Sequence, residues 1–213
     1  MAGPSRRTSD LSFLHELPLA RAAVEFAEER HAGQRRAGDG AEFVLHPLEV
    51  AALVQRSHYP DHVVAAAVLH DILENTDTER AELQARFGSD VAELVALLSD
   101  DPSIPDEERQ KDDVRERVRR AGGFGAVVYA ADKISKVREL RAAISAGLRA
   151  AEAEVKLNRY RRALDMLQGI LRESRLVEVL RFEIEALEQL PPAATEHPPA
   201  RAPAHAGRRT SPA

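Results

Sequence analysis

Apolar residues recur every three or four positions along almost all of the segment from residue 10 to residue 190. This spacing puts them on one face of a helix, whereas a strand exposed on one side would need strict alternation of apolar and polar residues. No stretch of the chain shows that alternation. Ala, Leu, Glu and Arg dominate the composition, and all four are good helix formers. The sequence therefore predicts an all-α fold, a helical bundle of about eight to ten helices.

Turn and capping residues divide this pattern into separate helices. A glycine-rich stretch from Gly33 to Gly40 predicts a loop after the first helix. Pro47 suits the first turn of the next helix, and Asp61 is expected to cap the helix that it begins. Gly88 separates two short helices, and the pair Gly122-Gly123 ends a highly charged one. The breaks are frequent enough to fold one chain back on itself many times.

The two ends of the chain have a different composition. Residues 1–9 are polar, and residues 191–213 are rich in Pro and Ala with hardly any large apolar side chain. Such segments cannot bury enough apolar surface to offset the entropy of ordering them. We therefore expect a disordered N-terminus, one folded domain over residues 10–190 and a disordered tail.

Charge and cysteine content restrict the partners and the chemistry. The formal net charge is −5, and basic residues are mixed with acidic ones. The sequence therefore has no basic stripe of the kind that indicates binding to nucleic acid. No apolar run is long enough for a membrane span, and the N-terminus lacks the apolar core of a signal peptide, which predicts a cytoplasmic protein. The chain has no cysteine, so a metal site would need imidazole and carboxylate ligands. The oligomeric state is left open.

The motif AAAVLHDILENTDT carries the strongest local signal for chemistry. His70 and Asp71 place an imidazole beside a carboxylate near the end of an apolar helix, and Glu74 follows on the same face. Burying these groups is costly unless a metal or an ion partner compensates for it. A capped helix end or a surface ion pair could also contain an adjacent His and Asp. The His70-Asp71 pair alone therefore does not decide between these interpretations.

Two further residues favour the interpretation that His70 and Asp71 bind a metal ion. His46 opens a helix after the glycine-rich loop, and Asp132 lies within an otherwise apolar helix in YAADKISKVREL. Two histidines and two aspartates form a suitable ligand set for Mn²⁺, Fe²⁺ or Zn²⁺, with positions left for water.

The order of these motifs resembles the HD superfamily of phosphohydrolases, and within it the hydrolase domain of RelA/SpoT homologues and the single-domain small alarmone hydrolases. The matching segments are HAGQRR and FVLHPLEVAALV, VLHDILENTDT, FGSDVAELVALLSDDPSIPDEERQ, and YAADKISKVREL. The resemblance implies an HD-domain bundle that binds Mn²⁺, or another divalent transition metal, and hydrolyses the guanine-nucleotide alarmones ppGpp and pppGpp. The products would be GDP or GTP plus pyrophosphate.

The resemblance also implies roles for individual residues. It assigns the metal to His46, His70, Asp71 and Asp132, and the orientation or deprotonation of the attacking water to Glu74. It places Arg36, or its neighbour Arg35, near the nucleotide. It also matches Tyr160 to a tyrosine of the nucleotide pocket, with core packing as the alternative.

Three positions depart from the family pattern. Asn75 stands where the family has a second acid, and an amide can hold a water but cannot take its proton. Lys136 replaces an asparagine that helps to hold the nucleotide, so it either meets a phosphate or is solvated. Glu42-Phe43 replaces the usual Pro-Tyr, with Phe43 still offering a stacking face.

These departures keep two other functions in view. One is an HD phosphohydrolase acting on another nucleotide phosphoester, such as NADPH or a nucleoside monophosphate, which Asn75 and Lys136 favour. The other is a catalytically silent domain that binds a nucleotide and regulates a partner.

The chain ends soon after the bundle, so we expect no synthetase domain. For His31 we expect a hydrogen bond to the following loop rather than a metal. For Arg109 and Lys111 we expect either a solvated face or contacts with the 5′-phosphates.

Overall fold

The structure is a computed structural model that describes residues 14–36 and 40–189. The segments 1–9 and 191–213, for which the sequence predicts disorder, lie outside the described residues.

Ten α-helices run through the described part of the chain, which confirms the predicted all-α bundle. They are α1 (Pro18–Arg30), α2 (Leu45–Arg56), α3 (Asp61–Leu69), α4 (Ile72–Asn75), α5 (Arg80–Phe87), α6 (Ser89–Leu98), α7 (Glu107–Ala121), α8 (Gly123–Ser145), α9 (Ala150–Ile170) and α10 (Arg175–Glu188). Within residues 14–36 and 40–189 the only extended pairing is a single antiparallel bridge between Arg35 and Glu42, which closes the loop between α1 and α2. None of these ten helices is both long and apolar enough to cross a membrane.

The short helix α3 forms the centre of the bundle. Its residues from Val63 to Leu69 are all apolar and fully buried, because α1, α2, α6 and α8 pack around it. A helix that is apolar on every side is stable only when it is surrounded in this way. The long helix α8 lies alongside, between α2, α9 and α10. The end of α3 and the middle of α8 therefore meet deep inside the molecule.

Asp61 caps a helix other than the predicted one. It is the first residue of α3, but its two carboxylate oxygens accept hydrogen bonds from the backbone N–H groups of Leu19 (2.9 Å) and Ala20 (2.8 Å) in α1. The residue before α1 is Leu17, whose side chain cannot accept a hydrogen bond, so the free N–H groups at that helix end are satisfied from α3 instead. The prediction that Asp61 caps its own helix was wrong for this reason.

Candidate active site

Four side chains predicted as metal ligands meet where α2, α3 and α8 converge. His46 comes from the first turn of α2 and Asp132 from the middle of α8, while His70 and Asp71 lie in the break between α3 and α4. The Nε2 atom of His46 lies 3.2 Å from Nε2 of His70 and 3.3 Å from Oδ1 of Asp132. The carboxylate of Asp71 lies 3.4 Å from Nε2 of His46 and 3.2 Å from Nε2 of His70. The helix α3 ends at Leu69, so the pair follows the helix rather than lying within its last turns.

Hydrogen bonds on the far side of each imidazole orient both rings. Nδ1 of His70 donates to the carbonyl oxygen of Ala67 at 2.8 Å. Nδ1 of His46 lies 2.9 Å from Oγ of Ser135 and 3.1 Å from Oε1 of Glu139. With the proton on Nδ1, each ring directs the lone pair of Nε2 towards the other ligands.

An unpartnered oxygen shows that this arrangement suits a cation. Oδ1 of Asp132 is buried and accepts no hydrogen bond, yet it faces the Nε2 atoms of His46 and His70 at 3.3 and 3.6 Å. Three electron pairs turned towards one another repel unless a positive charge lies between them. His46, His70 and Asp132 are also near enough to one another to share one metal ion. The residues therefore fit a divalent metal with imidazole and carboxylate ligands.

The titration behaviour of the cluster agrees with this fit. Burial lowers the pKa of His46, but the nearby carboxylates of Asp132 and Glu139 favour its protonated form more strongly and raise that pKa to about 9. Burial also opposes ionisation of Asp132, yet Lys133 and the two histidines keep the pKa of its carboxyl well below the usual range. The field that attracts a proton to His46 also attracts a metal ion, so the two compete for Nε2.

Glu74 and Asn75 lie at the edge of the metal cluster. Oε1 of Glu74 accepts a hydrogen bond from the backbone N–H of Asp100 at 2.7 Å, and Nζ of Lys111 lies 4.0 Å from the other oxygen. Burial, and then the negative charge of Asp71, raise the pKa of Glu74. The side-chain amide nitrogen of Asn75 donates to the backbone carbonyl of Asp71 at 3.1 Å. Its amide oxygen is an acceptor that can take a hydrogen bond from a water.

A cleft with two adjoining chambers leads to these residues. The inner chamber, about 330 Å³, is lined by His70, Asp71, Glu74 and Asp132, and the outer chamber, about 530 Å³, by Gln34, Arg35, Arg36 and Glu139. Both chambers share the residues Phe43, Asn75, Lys136, Lys156 and Tyr160. The basic side chains that line the inner chamber are Lys111, Arg115, Lys133, Lys136, Lys156 and Arg159. The cleft thus offers many positive charges around a small anionic centre.

The four residues predicted to bind substrate all line this cleft. Nη1 of Arg36 lies 3.3 Å from Oε1 of Glu139, whereas Nη1 of Arg35 donates to the carbonyl oxygen of Gly40 at 3.2 Å. Nζ of Lys136 lies 3.9 Å from Oδ2 of Asp71, and the charges of Asp71 and Asp132 overcome the effect of burial and raise its pKa. Burial raises the pKa of Tyr160 to about 12, so its hydroxyl keeps the proton and can donate a hydrogen bond.

Several cleft residues were missed by the sequence reasoning. Lys156 and Arg159 lie on α9 close to Tyr160, so a search for basic residues one turn away from that tyrosine would have found Lys156. Lys133 was passed over although it follows Asp132 directly, and its Nζ lies 2.6 Å from Oδ2 of that aspartate. Of the two residues considered for the 5′-phosphates, Lys111 lines the inner chamber and pairs with Asp100 at 2.5 Å, whereas Arg109 is exposed and lines neither chamber.

His31 lies beside the cluster rather than within it. Its side chain is buried, its Nδ1 lies 2.8 Å from Oε1 of Gln34 in the following loop, and its ring packs 4.8 Å from that of Phe43. These contacts match the structural role expected for it.

Comparison with known proteins places this site in a family. The HD domain model matches residues 23–157, more than half of the chain. The chain is 37% identical over 122 residues to guanosine-3′,5′-bis(diphosphate) 3′-pyrophosphohydrolase MESH1 of Danio rerio, an alignment that covers 55% of this chain and 66% of the relative. The human MESH1 is 36% identical over 121 residues, with 55% and 67% covered. A guanosine-3′,5′-bis(diphosphate) 3′-pyrophosphohydrolase of Aquifex aeolicus is 32% identical over 120 residues, with 55% of this chain and 17% of the relative covered.

Solved structures agree on the fold. The structure of a metazoan orthologue of SpoT, described as hydrolysing ppGpp, superimposes with a TM-score of 0.72 at 23% identity and covers 81% of this chain and 96% of its own. The chain spans about two thirds of the animal relatives in sequence and a much smaller part of the bacterial one. On the match to its domain model and on these relatives, the chain belongs to the HD-domain family.

Proposed function

We propose that this protein is a Mn²⁺-dependent hydrolase that removes the 3′-pyrophosphate of guanosine tetra- or pentaphosphate, giving GDP or GTP plus pyrophosphate. The observation that carries the proposal is the convergence of His46, His70, Asp71 and Asp132 at the end of a cleft with many basic side chains. The names of the sequence relatives support the choice of reaction.

The metal would be held by two imidazoles and two carboxylates. This donor set has no thiolate, which suits Mn²⁺ and also fits other divalent transition metals. A bound metal of this kind lowers the pKa of a water and neutralises charge on a phosphoryl oxygen. The protein's own part is to hold the ligands in place through the hydrogen bonds behind His46 and His70.

Glu74 would take the proton of the attacking water. Its carboxylate lines the inner chamber, and its raised pKa moves it towards the range in which a general base works well. The backbone N–H of Asp100 fixes one of its oxygens and leaves the other to meet the water. Asn75 would accept a hydrogen bond from that water and so help to orient it, because an amide cannot take the proton.

The substrate would lie along both chambers. Lys136 sits beside Asp71 at their boundary and can meet the phosphate next to the metal, while the hydroxyl of Tyr160 donates a hydrogen bond. Phe43 offers a ring for stacking on the guanine base. Arg36 or Arg35 would bind the nucleotide in the outer chamber, where a guanidinium can hold a phosphate in a fork geometry. Acting on this substrate, the protein would lower the alarmone level of the stringent response in the cytoplasm.

A second candidate has support from particular residues. Lys136 in place of an asparagine adds a charge to the wall, and Asn75 removes one acid, so the cleft also suits another nucleotide phosphoester such as NADPH or a nucleoside monophosphate. A silent regulatory domain would bind metal and nucleotide without turnover.

The test is pyrophosphate release from ppGpp by metal-stripped protein with and without added Mn²⁺. The control is the double variant His70→Ala/Asp71→Ala, checked for helicity by circular dichroism. We expect turnover that requires Mn²⁺ and is absent from the variant. Turnover of NADPH or a nucleoside monophosphate alone would favour the second candidate, and Mn²⁺ binding with no turnover on any of these compounds would favour the silent domain.

A further inference from the structure

A chain of hydrogen bonds leads away from His46 on the side opposite the metal cluster. Nδ1 of His46 lies 2.9 Å from Oγ of Ser135, and that hydroxyl lies 2.7 Å from Oε2 of Glu49. Ser135 is fully buried between the two, on the face of α8 that packs against α2. A short path therefore connects a predicted metal ligand to a carboxylate that takes no part in the proposed reaction.

The direction of these bonds follows from the number of protons available. A carboxylate only accepts, so the single proton of the Ser135 hydroxyl is donated to Glu49. Towards His46 the hydroxyl oxygen can then only accept, which requires the proton of the imidazole to be on Nδ1. The lone pair of Nε2 is thereby turned to the metal cluster.

Glu49 is itself held in place by ion pairs that lead to the C-terminal helix α10. Its Oε1 accepts a hydrogen bond from Nη1 of Arg138 at 2.7 Å, and Nε of Arg138 donates to Oε1 of Glu183 at 2.7 Å. Glu183 is buried on α10, where Arg141 binds its other oxygen. The helix α10 lies beyond residue 157, the end of the segment that matches the HD domain model. The support of His46 thus extends to a helix outside that segment.

We propose that Ser135 and Glu49 are positioning residues for His46, and that Glu183 holds them in place from α10. The proposal rests on the metal site of the proposed function. It competes with a simpler account in which Glu139, 3.1 Å from the same Nδ1, orients His46 alone.

The two accounts differ in the effect of Ser135→Ala on metal affinity. We would measure the dissociation constant for Mn²⁺ by isothermal titration calorimetry of metal-stripped protein, with no substrate present. Removing a hydrogen-bond partner behind a ligand weakens metal binding by about 10- to 100-fold, and we expect a loss in that range. Ser135→Thr keeps the hydroxyl and should restore most of the affinity. Ser145→Ala is the matched control, because Ser145 lies on the same helix but is exposed and donates to the carbonyl oxygen of Arg141 in its own helix.

Two further variants keep the test decisive if Ser135→Ala fails to fold. Glu49→Gln should weaken Mn²⁺ binding about tenfold, and Glu183→Gln should weaken it less because it acts through two more side chains. Wild-type affinity in Glu49→Gln, and in Ser135→Ala where that variant folds, would overturn the proposal and leave Glu139 as the orienting group. That outcome is separate from failure of the proposed function, which would show as normal Mn²⁺ binding by the wild-type protein without turnover of ppGpp.

Discussion

The two chambers of the cleft hold their polar side chains in different ways. In the inner chamber His70 and Asp132 come from the packed centre of the bundle, are almost fully buried, and are fixed by further hydrogen bonds or ion pairs. In the outer chamber Arg35 and Arg36 come from the loop between α1 and α2, where Arg35 is exposed and Arg36 is mostly buried. The packed helices thus hold the side chains of the metal cluster in place. The side chains that line the outer chamber are carried by a loop, and binding residues are often found on loops supported by a rigid scaffold. Changes in the inner chamber should therefore affect kcat, and changes in the outer chamber should affect KM.

The largest effect should come from Glu74→Gln in the inner chamber. The amide keeps the shape of the side chain but cannot take a proton, so we expect kcat to fall by roughly a hundredfold or more while KM changes little. Steady-state kinetics on ppGpp with saturating Mn²⁺ would measure both. An unchanged kcat would mean that another group is the base.

The same variant has a signature in the pH profile. A general base works only when deprotonated, and burial and Asp71 raise the pKa of Glu74 above the usual 4.5. In the wild-type protein kcat/KM should therefore fall as the pH falls through a value above 4.5, and Glu74→Gln should lack that acid limb. An acid limb that persists unchanged in the variant would assign it to a different group.

A smaller effect, on KM, should distinguish the two arginines of the outer chamber. Arg36 is mostly buried and faces Glu139, whereas Arg35 bonds to the backbone of its own loop. We expect Arg36→Ala to raise KM about tenfold, the loss of one charge-assisted hydrogen bond, with kcat nearly unchanged. Arg35→Ala, the matched control, should change KM much less. The reverse order would assign the nucleotide contact to Arg35.

The smallest effect should be on the stability of the helical bundle, with no change in either chamber. Asp61→Ala removes the carboxylate that accepts from the N–H groups of Leu19 and Ala20, and it should lower the free energy of unfolding by about 1 kcal/mol. Urea unfolding followed by circular dichroism would measure this, with the exposed Asp90→Ala as control. Because Asp61 lies outside both chambers, kcat/KM should stay the same. A variant as stable as the wild type would show that α1 does not need this cap.

Features that depend on neighbours in the sequence could be predicted from it. Helical periodicity and the glycine breaks gave the order of the helices, and the motifs around His46, His70 and Asp132 gave the residues that meet at the cluster. Features that depend on packing could not be predicted. The cap supplied by Asp61 joins residues more than forty positions apart, and the hydrogen bond between Ser135 and Glu49 joins residues separated by more than eighty. No local pattern records which helices will pack together.

The alarmone hydrolase activity is tested most directly by incubating metal-stripped protein with ppGpp, adding Mn²⁺, and quantifying GDP and pyrophosphate by anion-exchange chromatography. We expect both products to form in equal amounts, only after Mn²⁺ is added, and not with the variant His70→Ala/Asp71→Ala. If ppGpp stays intact while calorimetry shows Mn²⁺ bound to the wild-type protein, the proposed alarmone hydrolase activity is contradicted.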